Sequence, residues 1–461
     1  MIPVIAIYDI GKTNKKFFLL DEAYKIVLER SASFEEITDE DGDPCDDVER
    51  ISNWVTETLS EVMQLRKFDI RAINFSAYGA SFVYVSDEGK VVAPLYNYLK
   101  KYPETLKNEL YNKYGGAEKV SCETASPVLG SLNSGMQLYR IKKEKPALYD
   151  QIQFALHLPQ YISYLITKHP CSDITSIGCH TQLWDFQKND YHQWVKDTGI
   201  DKKLAPVHSV DKAVEIVIGN KKVAVGTGLH DSSAALIPYL AAFTEPFILL
   251  STGTWCISLN PFNDAPLTNE ELTKDCLCYM GYNGKPVKAA RLFAGYEHEQ
   301  QTKRLAQHFD KSADYYKRVK YAPSIITGLK KRFVFAEDSS IAASMVQQSN
   351  FGNRDLSLFK NYNEAYHCLL LDIMRQQQDS TQLIIQQSGV KRIFVDGGFS
   401  NNSIYMHLLA QAFPQLEVYA ASVAQATAMG AALAIHQQWN SGPVPADMVK
   451  LEFYKVSEVL V

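Results

Sequence analysis

The chain has 461 residues, more than a single hydrophobic core usually serves, so two domains are expected. Hydrophobic residues make up 46% and charged residues 21%, the balance of an ordinary globular protein. A net charge of −5 gives no general attraction to nucleic acids or anionic membranes, and no apolar run reaches the ~20 residues needed to cross a bilayer. These properties exclude nucleic acid and membrane as expected partners.

Strands and helices alternate along the first half. Runs rich in β-branched and aromatic residues predict strands at 4–8, 16–20, 71–75, 82–85 and 222–225. Apolar residues at helical spacing predict helices at 48–65 and 156–167. The apolar N-terminus lacks a basic segment, so it is predicted as the first strand and not as a signal peptide.

A second strand–turn–strand unit opens the second half. Pro238, Thr244 and Pro246 interrupt the chain before it, and its strands are predicted at 247–250 and 255–259. The unit repeats the N-terminal pattern, which suggests two similar domains, residues 1–243 and 244–461. Further helices are predicted at 361–387 and 403–413, and a strand at 391–395, and an Ala-rich segment at 420–438 closes the second half. This alternation makes the predicted fold α/β.

The eight cysteines are scattered, and none forms a Cys-x-x-Cys pair. Reduced, partly buried thiols in a cytoplasmic protein are the expected state. Cys179-His180 and Cys276-x-Cys278 have residue types that bind metals, but no second pair lies at zinc-finger spacing. The sequence therefore does not predict a zinc site.

The turn after the first strand contains Gly11-Lys12-Thr13 but is not a P-loop, because position 6 is Ala where that motif needs Gly. A hairpin turn can instead direct backbone N–H groups at phosphate oxygens. Asp9 would then reach Mg²⁺ through water, and Lys16 would place positive charge near the transferred phosphate. An ordinary surface hairpin in which Asp9 caps the turn is the alternative.

Two glycine-containing turns of the second half are candidate nucleotide contacts. Thr252-Gly253-Thr254 joins two predicted strands, and its alternative interpretation is a plain tight turn. Asp396-Gly397-Gly398 ends a strand before a helix, where paired glycines allow close approach of a ligand. Close packing of that helix on the strand would explain the same glycines.

Asp231 is the candidate general base. It follows Gly228 and precedes small residues, which leaves room for a substrate hydroxyl within hydrogen-bonding reach. The position would equally suit an aspartate that caps a helix N-terminus. His230 beside it is a candidate sugar contact, although a single histidine is more often structural.

Taken together, these segments resemble the FGGY carbohydrate kinases of the sugar kinase, Hsp70 and actin superfamily, and most of all the rhamnulokinase branch. The residues that carry the resemblance occur in the family's order: Asp9-Ile10-Gly11, Tyr78-Gly79, Leu158-Pro159-Gln160-Tyr161, Thr181-Gln182-Leu183, His230-Asp231, Ser251-Thr252-Gly253-Thr254-Trp255 and Asp396-Gly397-Gly398. They span residues 4 to about 435, nearly the whole chain.

The resemblance implies two ribonuclease-H-like (actin-like ATPase) domains with a central cleft between them. It implies ATP and Mg²⁺ as cofactors, with Asp231 as the catalytic base. Substrate contacts are expected from Gly79, Ser81, His230 and Asp231, and a magnesium contact, through water, from Asp9. The residues expected to bind ATP are Gly11, Thr13, Asn14, Lys16, Thr252, Gly253, Gln300, Gly397, Gly398 and Asn402.

Three departures from the rhamnulokinase pattern affect the choice of sugar. Ser81 stands where an acidic residue is usual, Leu292 stands where an Asn is usual, and the first hairpin carries extra lysines. The missing acid removes an acceptor for a sugar hydroxyl, so L-rhamnulose itself is in doubt while the kinase chemistry is not. The lysines would either serve phosphate or lie in solvent.

The predicted function is therefore an ATP-dependent kinase that phosphorylates a terminal hydroxyl of a ketose or deoxy-ketose. A sugar- and nucleotide-binding sensor without turnover is one alternative, motivated by Ser81 and Leu292. An actin-like or chaperone-like ATPase is another, which the His230-Asp231 pair disfavours. The protein is expected to be a monomer or a homodimer.

Overall fold

A computed structural model describes residues 1–333, 335, 349–386 and 388–455, and two mixed β-sheets organise it. The strands of the first half are β1 (Ile2–Ile10), β2 (Lys15–Asp21), β3 (Ile26–Ala32), β4 (Ile37–Thr38), β5 (Pro44–Cys45), β6 (Phe68–Ala77), β7 (Phe82–Val85), β8 (Phe154–His157), β9 (Ser172–Asp173), β10 (Trp184–Asp185), β11 (Asp190–Tyr191), β12 (Val207–His208), β13 (Ala213–Ile218), β14 (Lys221–Gly226) and β15 (Leu229–His230). Those of the second half are β16 (Phe247–Thr252), β17 (Cys256–Asn260), β18 (Cys276–Met280), β19 (Pro286–Leu292), β20 (Arg392–Gly397), β21 (Glu417–Ser422) and β22 (Lys450–Tyr454).

Helices flank both sheets. They are α1 (Val48–Met63), α2 (Glu104–Lys113), α3 (Ala117–Glu123), α4 (Ser134–Glu144), α5 (Pro146–Gln151), α6 (Leu158–Thr167), α7 (Ile174–Ile177), α8 (Gln193–Asp197), α9 (Asp231–Ala242), α10 (Asn269–Thr273), α11 (Ala294–His308), α12 (Pro323–Arg332), α13 (Tyr362–Ile385), α14 (Ser403–Ala412) and α15 (Ala426–Ala434). Their apolar faces bury the sheets, which supplies most of the folding free energy.

The two sheets share one topology. The first has the order β13-β14-β6-β1-β2-β3, with β15 also paired to β6, and the second has the order β18-β19-β17-β16-β20-β21-β22. In each, a strand pairs antiparallel with the next strand on one side and parallel with a later strand on the other (β1 with β2 and β6, β16 with β17 and β20). The predicted repeat of the strand–turn–strand unit is therefore seen in the structure.

Helices α9 and α15 join the halves through one apolar core. That core contains residues of the first sheet, such as Ile5 and Ile7, and of the second, such as Leu249 and Phe394. The helices pack backbone to backbone, since a Cβ at Gly430 would lie 1.8 Å from the carbonyl oxygen of Ala234. Helix α15 belongs to the second half by sequence but packs against β1 and β6 of the first sheet.

Helix α6, predicted from residue 156, and helix α15, in the Ala-rich segment, each begin only after a strand. Residues 154–157 form a strand antiparallel to β7, and α6 starts only at Leu158, where Pro159 suits a first helical turn. Residues 417–422 form a strand beside β20, and α15 starts at Ala426. Strand pairing overrides local helical composition in both cases. The predicted helix at 361–387 is seen as Tyr362–Ile385, and Gln387 lies outside the described residues.

The prediction of an α/β fold built from two similar domains is confirmed. In the part of the chain that the structure describes, no helix has both the length and the apolar character needed to cross a membrane.

Candidate active site

The carboxyl ends of three neighbouring strands bring the first-half candidates together. Asp9 on β1 pairs with Ser76 on β6, and Ser76 pairs in turn with Leu229 on β15. Because these strands are parallel, they end at the same edge of the sheet. Asp231 lies two residues beyond Leu229, so Asp9 and Asp231, 222 positions apart in the sequence, open onto one edge.

Asp231 is the first residue of α9, with its side chain 30% exposed. The backbone N–H of Ser232 donates to Oδ1 at 2.6 Å, and His230 Nε2 lies 3.2 Å from the same oxygen. Burial raises the pKa of Asp231 to about 6, although the Ser232 hydrogen bonds oppose that rise. The carboxylate is thus ionised at neutral pH and basic enough to accept a proton from a hydroxyl.

The ring of His230 is buried against Gly79. A Cβ at Gly79 would lie 2.8 Å from Cδ2 of His230, so only glycine leaves the ring in place. Ser81, by contrast, is buried, and its hydroxyl donates to the carbonyl oxygen of Tyr96 at 3.1 Å. Of the predicted sugar contacts, Gly79, His230 and Asp231 therefore lie together, while the Ser81 hydroxyl is engaged by the protein.

Residues from both halves wall this region. The backbone of Cys179 forms a β-bridge with Tyr279 of the second half, and the Tyr279 ring centroid lies 5.8 Å from that of His230. The His180 ring lies 6.2 Å from His230. Burial raises the pKa of Tyr98, with Lys12 opposing that rise and Asp231 adding to it, so this phenol also lies near the proposed base.

The first hairpin makes a tight turn whose lysines diverge. The N–H of Gly11 donates to the carbonyl of Asn14 at 2.9 Å, and Thr13 and Asn14 are exposed. Lys16 points toward the second half, where Nζ lies 3.2 Å from Oε1 of Gln425. It is the hairpin lysine that reaches toward α15.

The other two hairpin lysines form ion pairs within the first half. Lys12 and Lys15 both bind Asp46, at 2.6 and 3.1 Å, and Lys15 is fully buried. Tyr78 donates a third hydrogen bond to Asp46. Burial tends to raise the pKa of Asp46, but the hydrogen bonds from Lys12 and Tyr78 leave it lowered. These lysines anchor the hairpin; Lys15 does not lie in solvent, and a phosphate contact from the partly exposed Lys12 stays a prediction.

Asp9 is linked to the second half by a hydrogen bond from the Thr427 hydroxyl to Oδ2 at 2.6 Å. Burial raises the pKa of Asp9 to about 6; the Thr427 hydrogen bond opposes this, and the charge of Asp231 adds to it. A buried carboxylate whose proton affinity is raised by a second carboxylate favours a cation beside it. The site has the oxygen donors and the charge that Mg²⁺ prefers.

On the second sheet, Thr252 and Gly397 pair at the carboxyl ends of β16 and β20. The Thr252 hydroxyl donates to the carbonyl of Asp396 at 2.6 Å and accepts the N–H of Phe399 at 3.0 Å. Gly397 has φ +93°, and a Cβ there would lie 2.0 Å from the Thr252 carbonyl oxygen. A Cβ at Gly398 would lie no closer than 3.9 Å to the Thr252 carbonyl oxygen, its nearest neighbour. Gly253 lies exposed on the adjoining turn.

The last two predicted ATP contacts lie on helices. Gln300 is partly buried on α11. Asn402 caps α14, where its Oδ1 accepts from the N–H groups of Ile404 and Tyr405, and its amide donates to Tyr366 at 2.7 Å. Its carboxamide is therefore engaged in helix capping, as the residue type at this position favours.

Sequence reasoning missed several residues near the site. Tyr98, Tyr279 and the Asp396 partner Tyr239, which donates to the carboxylate at 2.7 Å, carry no motif. The pairing of Cys179 with His230 joins positions 51 apart, so local spacing does not reveal it. Of these residues, only the pair Cys179-His180 was recognisable from the sequence, as neighbouring metal-binding residue types. Its third member, His230, is too distant in the sequence to be connected with it.

Known proteins with similar sequences and folds are carbohydrate kinases. A rhamnulokinase of Mannheimia succiniciproducens is 22% identical over 285 residues, 59% of this chain and 57% of that protein. An L-fuculokinase of Salmonella typhi is 26% identical over 277 residues, 55% of each. The chain thus spans a little over half the length of these curated relatives. The crystal structure of a carbohydrate kinase from Novosphingobium aromaticivorans matches with a TM-score of 0.79 and 23% identity over 98% of this chain and 94% of that one, which shows the shared fold.

Two family models match consecutive parts of the chain. The N-terminal domain of the FGGY family of carbohydrate kinases matches residues 4–237, and the FGGY carbohydrate kinase C-terminal domain matches residues 244–443. Together they cover nearly the whole sequence, in the order that the resemblance predicted. The chain therefore belongs to the FGGY family of carbohydrate kinases.

Proposed function

We propose that this protein is an ATP-dependent carbohydrate kinase that transfers the γ-phosphoryl group of ATP to a terminal hydroxyl of a ketose or deoxy-ketose. The observation that carries the proposal is the position of Asp231. It is a partly exposed carboxylate at the N-terminus of α9, at the edge of the first sheet where Asp9 also lies. Family membership supports the reaction class.

In the proposed reaction Asp231 accepts the proton of the sugar hydroxyl as its oxygen attacks the γ-phosphorus, and the O–P bond to ADP breaks. A pKa of about 6 suits this role, because the group is ionised at pH 7 yet remains a competent base. Gly79 and His230 border the sugar, and Lys16 places positive charge beside the transferred group. Phosphoryl transfer depends mainly on such positioning and charge neutralisation.

Asp9 is proposed to hold Mg²⁺ through water, since a single carboxylate suits an ion that keeps several of its waters. When bound, the ion would neutralise phosphate charge. The ATP contacts are proposed to come from the first hairpin and the Thr252–Gly253 and Gly397–Gly398 turns. The free space at Gly398 suits the flat adenine ring of ATP. At Gly397, in contrast, the backbone conformation and the close neighbouring carbonyl require glycine. Gln300 stays a proposed contact, and the capping role of Asn402 leaves it the weakest of the set.

The substrate class is proposed from the relatives and from the wall of the site. We propose the L-rhamnulose, L-fuculose and pentulose class, and the relatives named rhamnulokinase and L-fuculokinase support its first two members. The aromatic rings of Tyr279 and Tyr98 near His230 and Asp231 suit a sugar with an apolar face. Ser81 offers no carboxylate and its hydroxyl is engaged, which disfavours a sugar that needs an acceptor there.

We further propose that the chain divides at residue 243 into a sugar-binding and a nucleotide-binding domain. All eight cysteines are free, which supports a reducing compartment such as the cytoplasm. The proposed partners are the sugar and ATP, and the protein is proposed to be a monomer or a homodimer.

The test is ATP turnover with and without L-rhamnulose, L-fuculose, L-xylulose, D-xylulose and ribulose, in the parent and in Asp231→Asn. Sugar-stimulated ADP release that falls by about 10²–10⁴-fold in Asp231→Asn is the expected result. The Asp69→Asn variant, which alters an equally partly exposed carboxylate paired with Lys221, should match the parent. ATP hydrolysis that is indifferent to every sugar, or binding without turnover, would overturn the proposal.

A further inference from the structure

Beside the proposed base lies a compact group of side chains that bind transition metals. One ligand atom each from Cys179, His180 and His230 lies within 4.8 Å of the others. Cys179 Sγ lies 3.3 Å from His230 Nε2, and that nitrogen lies 3.2 Å from Oδ1 of Asp231. A thiol and two imidazoles thus form one group, and the carboxylate of Asp231 adjoins it through His230.

Two of the separations are close to those of a tetrahedral centre. With Zn–S near 2.3 Å and Zn–N or Zn–O near 2.0–2.1 Å, ligand atoms around one ion are about 3.6 Å (S to N) and about 3.4 Å (N to O) apart. The observed 3.3 and 3.2 Å are each shorter by a few tenths of an ångström. Small rotations of the side chains would admit the ion without moving the backbone.

The Nδ1 atoms of the two imidazoles differ in their contacts. The Nδ1 atom of His180 lies 3.3 Å from the carbonyl oxygen of Leu132, an arrangement that orients the ring and leaves Nε2 as the ligand. Nδ1 of His230 is buried and has no hydrogen-bond partner among the described residues.

A second group of metal-binding residue types offers an internal comparison. Glu123, Asp185 and His192 also approach within 4.8 Å, but each is already engaged. His192 Nε2 lies 2.8 Å from Glu123, and Asp185 binds the ammonium of Lys188 and two backbone N–H groups. In this group the lysine and backbone contacts of Asp185 come from outside the group, whereas the contacts given for His230 Nε2 are to Cys179 and Asp231, and its Nδ1 has no partner among the described residues.

We propose that Cys179, His180, His230 and Asp231 form a binding site for a divalent cation of the Zn²⁺ type, and that its occupation blocks the acceptor site of the kinase. Binding forms the Sγ–metal bond and breaks the S–H bond, and the proton passes to solvent. The soft and imidazole ligands discriminate against Mg²⁺, which prefers oxygen donors in octahedral geometry. The blocking effect rests on the proposed function, since it follows from occupying Asp231 and His230; the binding does not.

Binding is tested first, on the full chain and without substrates, by titration with Co²⁺ followed by absorption spectroscopy and by displacement with Zn²⁺. One equivalent that gives a thiolate charge-transfer band and visible bands of tetrahedral cobalt is expected. Cys179→Ser should lose the charge-transfer band, and His180→Gln should weaken binding at least ~10-fold, with circular dichroism to confirm folding. His192→Gln, in the comparison group, should bind as the parent does. Three outcomes would each overturn the proposal. The first is the absence of stoichiometric binding by the parent, and the second is an unchanged charge-transfer band in folded Cys179→Ser. The third is weakened binding in His192→Gln but not in His180→Gln.

Inhibition is tested second. For each variant we would measure the Zn²⁺ concentration that halves the sugar-stimulated rate, relative to the rate of the same variant without metal. This concentration should rise at least ~10-fold in His180→Gln relative to the parent and stay unchanged in His192→Gln. Equal sensitivity of His180→Gln and the parent would overturn the blocking effect. If cobalt binds as described while no sugar is phosphorylated, the proposed function fails and the metal site stands; a sugar-stimulated kinase that binds no cobalt gives the opposite result.

Discussion

Oγ1 of Thr427 lies 2.6 Å from Oδ2 of Asp9 and donates to it, which joins the end of a first-half strand to a second-half helix. Lys16 makes a parallel contact with Gln425 at 3.2 Å. The proposed magnesium-binding carboxylate is therefore held by a residue 418 positions away, at the N-terminus of α15. Movement of α15 relative to β1 would change the environment of this carboxylate directly.

Removing the Thr427 hydroxyl should shift the acid limit of activity to higher pH. That hydrogen bond opposes the burial that raises the pKa of Asp9 to about 6, so Thr427→Val should raise this pKa further. The apparent pKa of the acid limb of kcat/KM for MgATP is the measurement, with Thr427→Ser as the matched control. An unmoved limb in Thr427→Val would show that Asp9 does not act in its ionised form.

Asp231→Asn should increase stability at neutral pH. The folded pKa, raised from 3.8 to about 6, favours the protonated carboxyl; this contribution is complete below pH ~4 and is lost as pH rises through about 6. Asn resembles the protonated form, so the variant should exceed the parent by about 1–3 kcal/mol at pH 8. Urea unfolding at several pH values measures the difference, which should vanish near pH 4. A constant difference across that range would assign it to packing instead of ionisation.

Gly79→Ala should weaken sugar binding. The added Cβ would lie 2.8 Å from Cδ2 of His230 and would push the ring toward the proposed sugar position. We expect the KM for sugar to rise about 10-fold, equivalent to ~1.4 kcal/mol, with a much smaller change in the KM for ATP. The control is Gly328→Ala on α12, where nothing lies within 4 Å of the new Cβ. Equal effects on both substrates would place Gly79 outside the sugar site.

The paired glycines 397 and 398 should differ in what they tolerate. Gly397→Ala places a Cβ 2.0 Å from a backbone oxygen at φ +93°, so a stability loss of at least ~2 kcal/mol is expected. Gly398→Ala has room within the protein and should fold normally, but its methyl group would occupy the proposed nucleotide surface and raise the KM for ATP about 10-fold. Thermal unfolding and ATP saturation curves measure the two effects. A normal KM for ATP in Gly398→Ala would remove this residue from the nucleotide site.

The hairpin lysines should separate into a catalytic and a structural class. Lys16→Met should lower kcat by about 10²-fold with little change in stability, because it removes a charge proposed to lie beside the transferred phosphate. Lys16→Arg should restore much of that rate. Lys15→Met should instead lower stability and leave kcat nearly intact, since Lys15 is buried against Asp46. The reverse pattern would contradict the divergence of these two side chains.

Local pattern and motif order were enough to predict the α/β class, the repeated strand–turn–strand units and the family. Alternation of apolar residues and the glycine turns carry this information within short windows, so it is readable without the fold. The helix start at 156 was wrong because its true limit depends on a strand partner elsewhere in the chain. The same reasoning identified Asp9, Asp231 and the Gly397-Gly398 pair as candidates, each at the end of a strand.

Tertiary structure alone decided which candidates meet and what each side chain does. Lys12 and Lys15 bind Asp46, and nothing in their own segment distinguishes them from Lys16. Asn402 caps a helix and the Ser81 hydroxyl binds a backbone carbonyl, which their own segments do not reveal either. The grouping of Cys179 and His180 with His230, and of Asp9 with Thr427, joins residues 50 to 418 positions apart. Such contacts arise from the packing of whole sheets and helices, so a pattern confined to one strand or helix does not contain them.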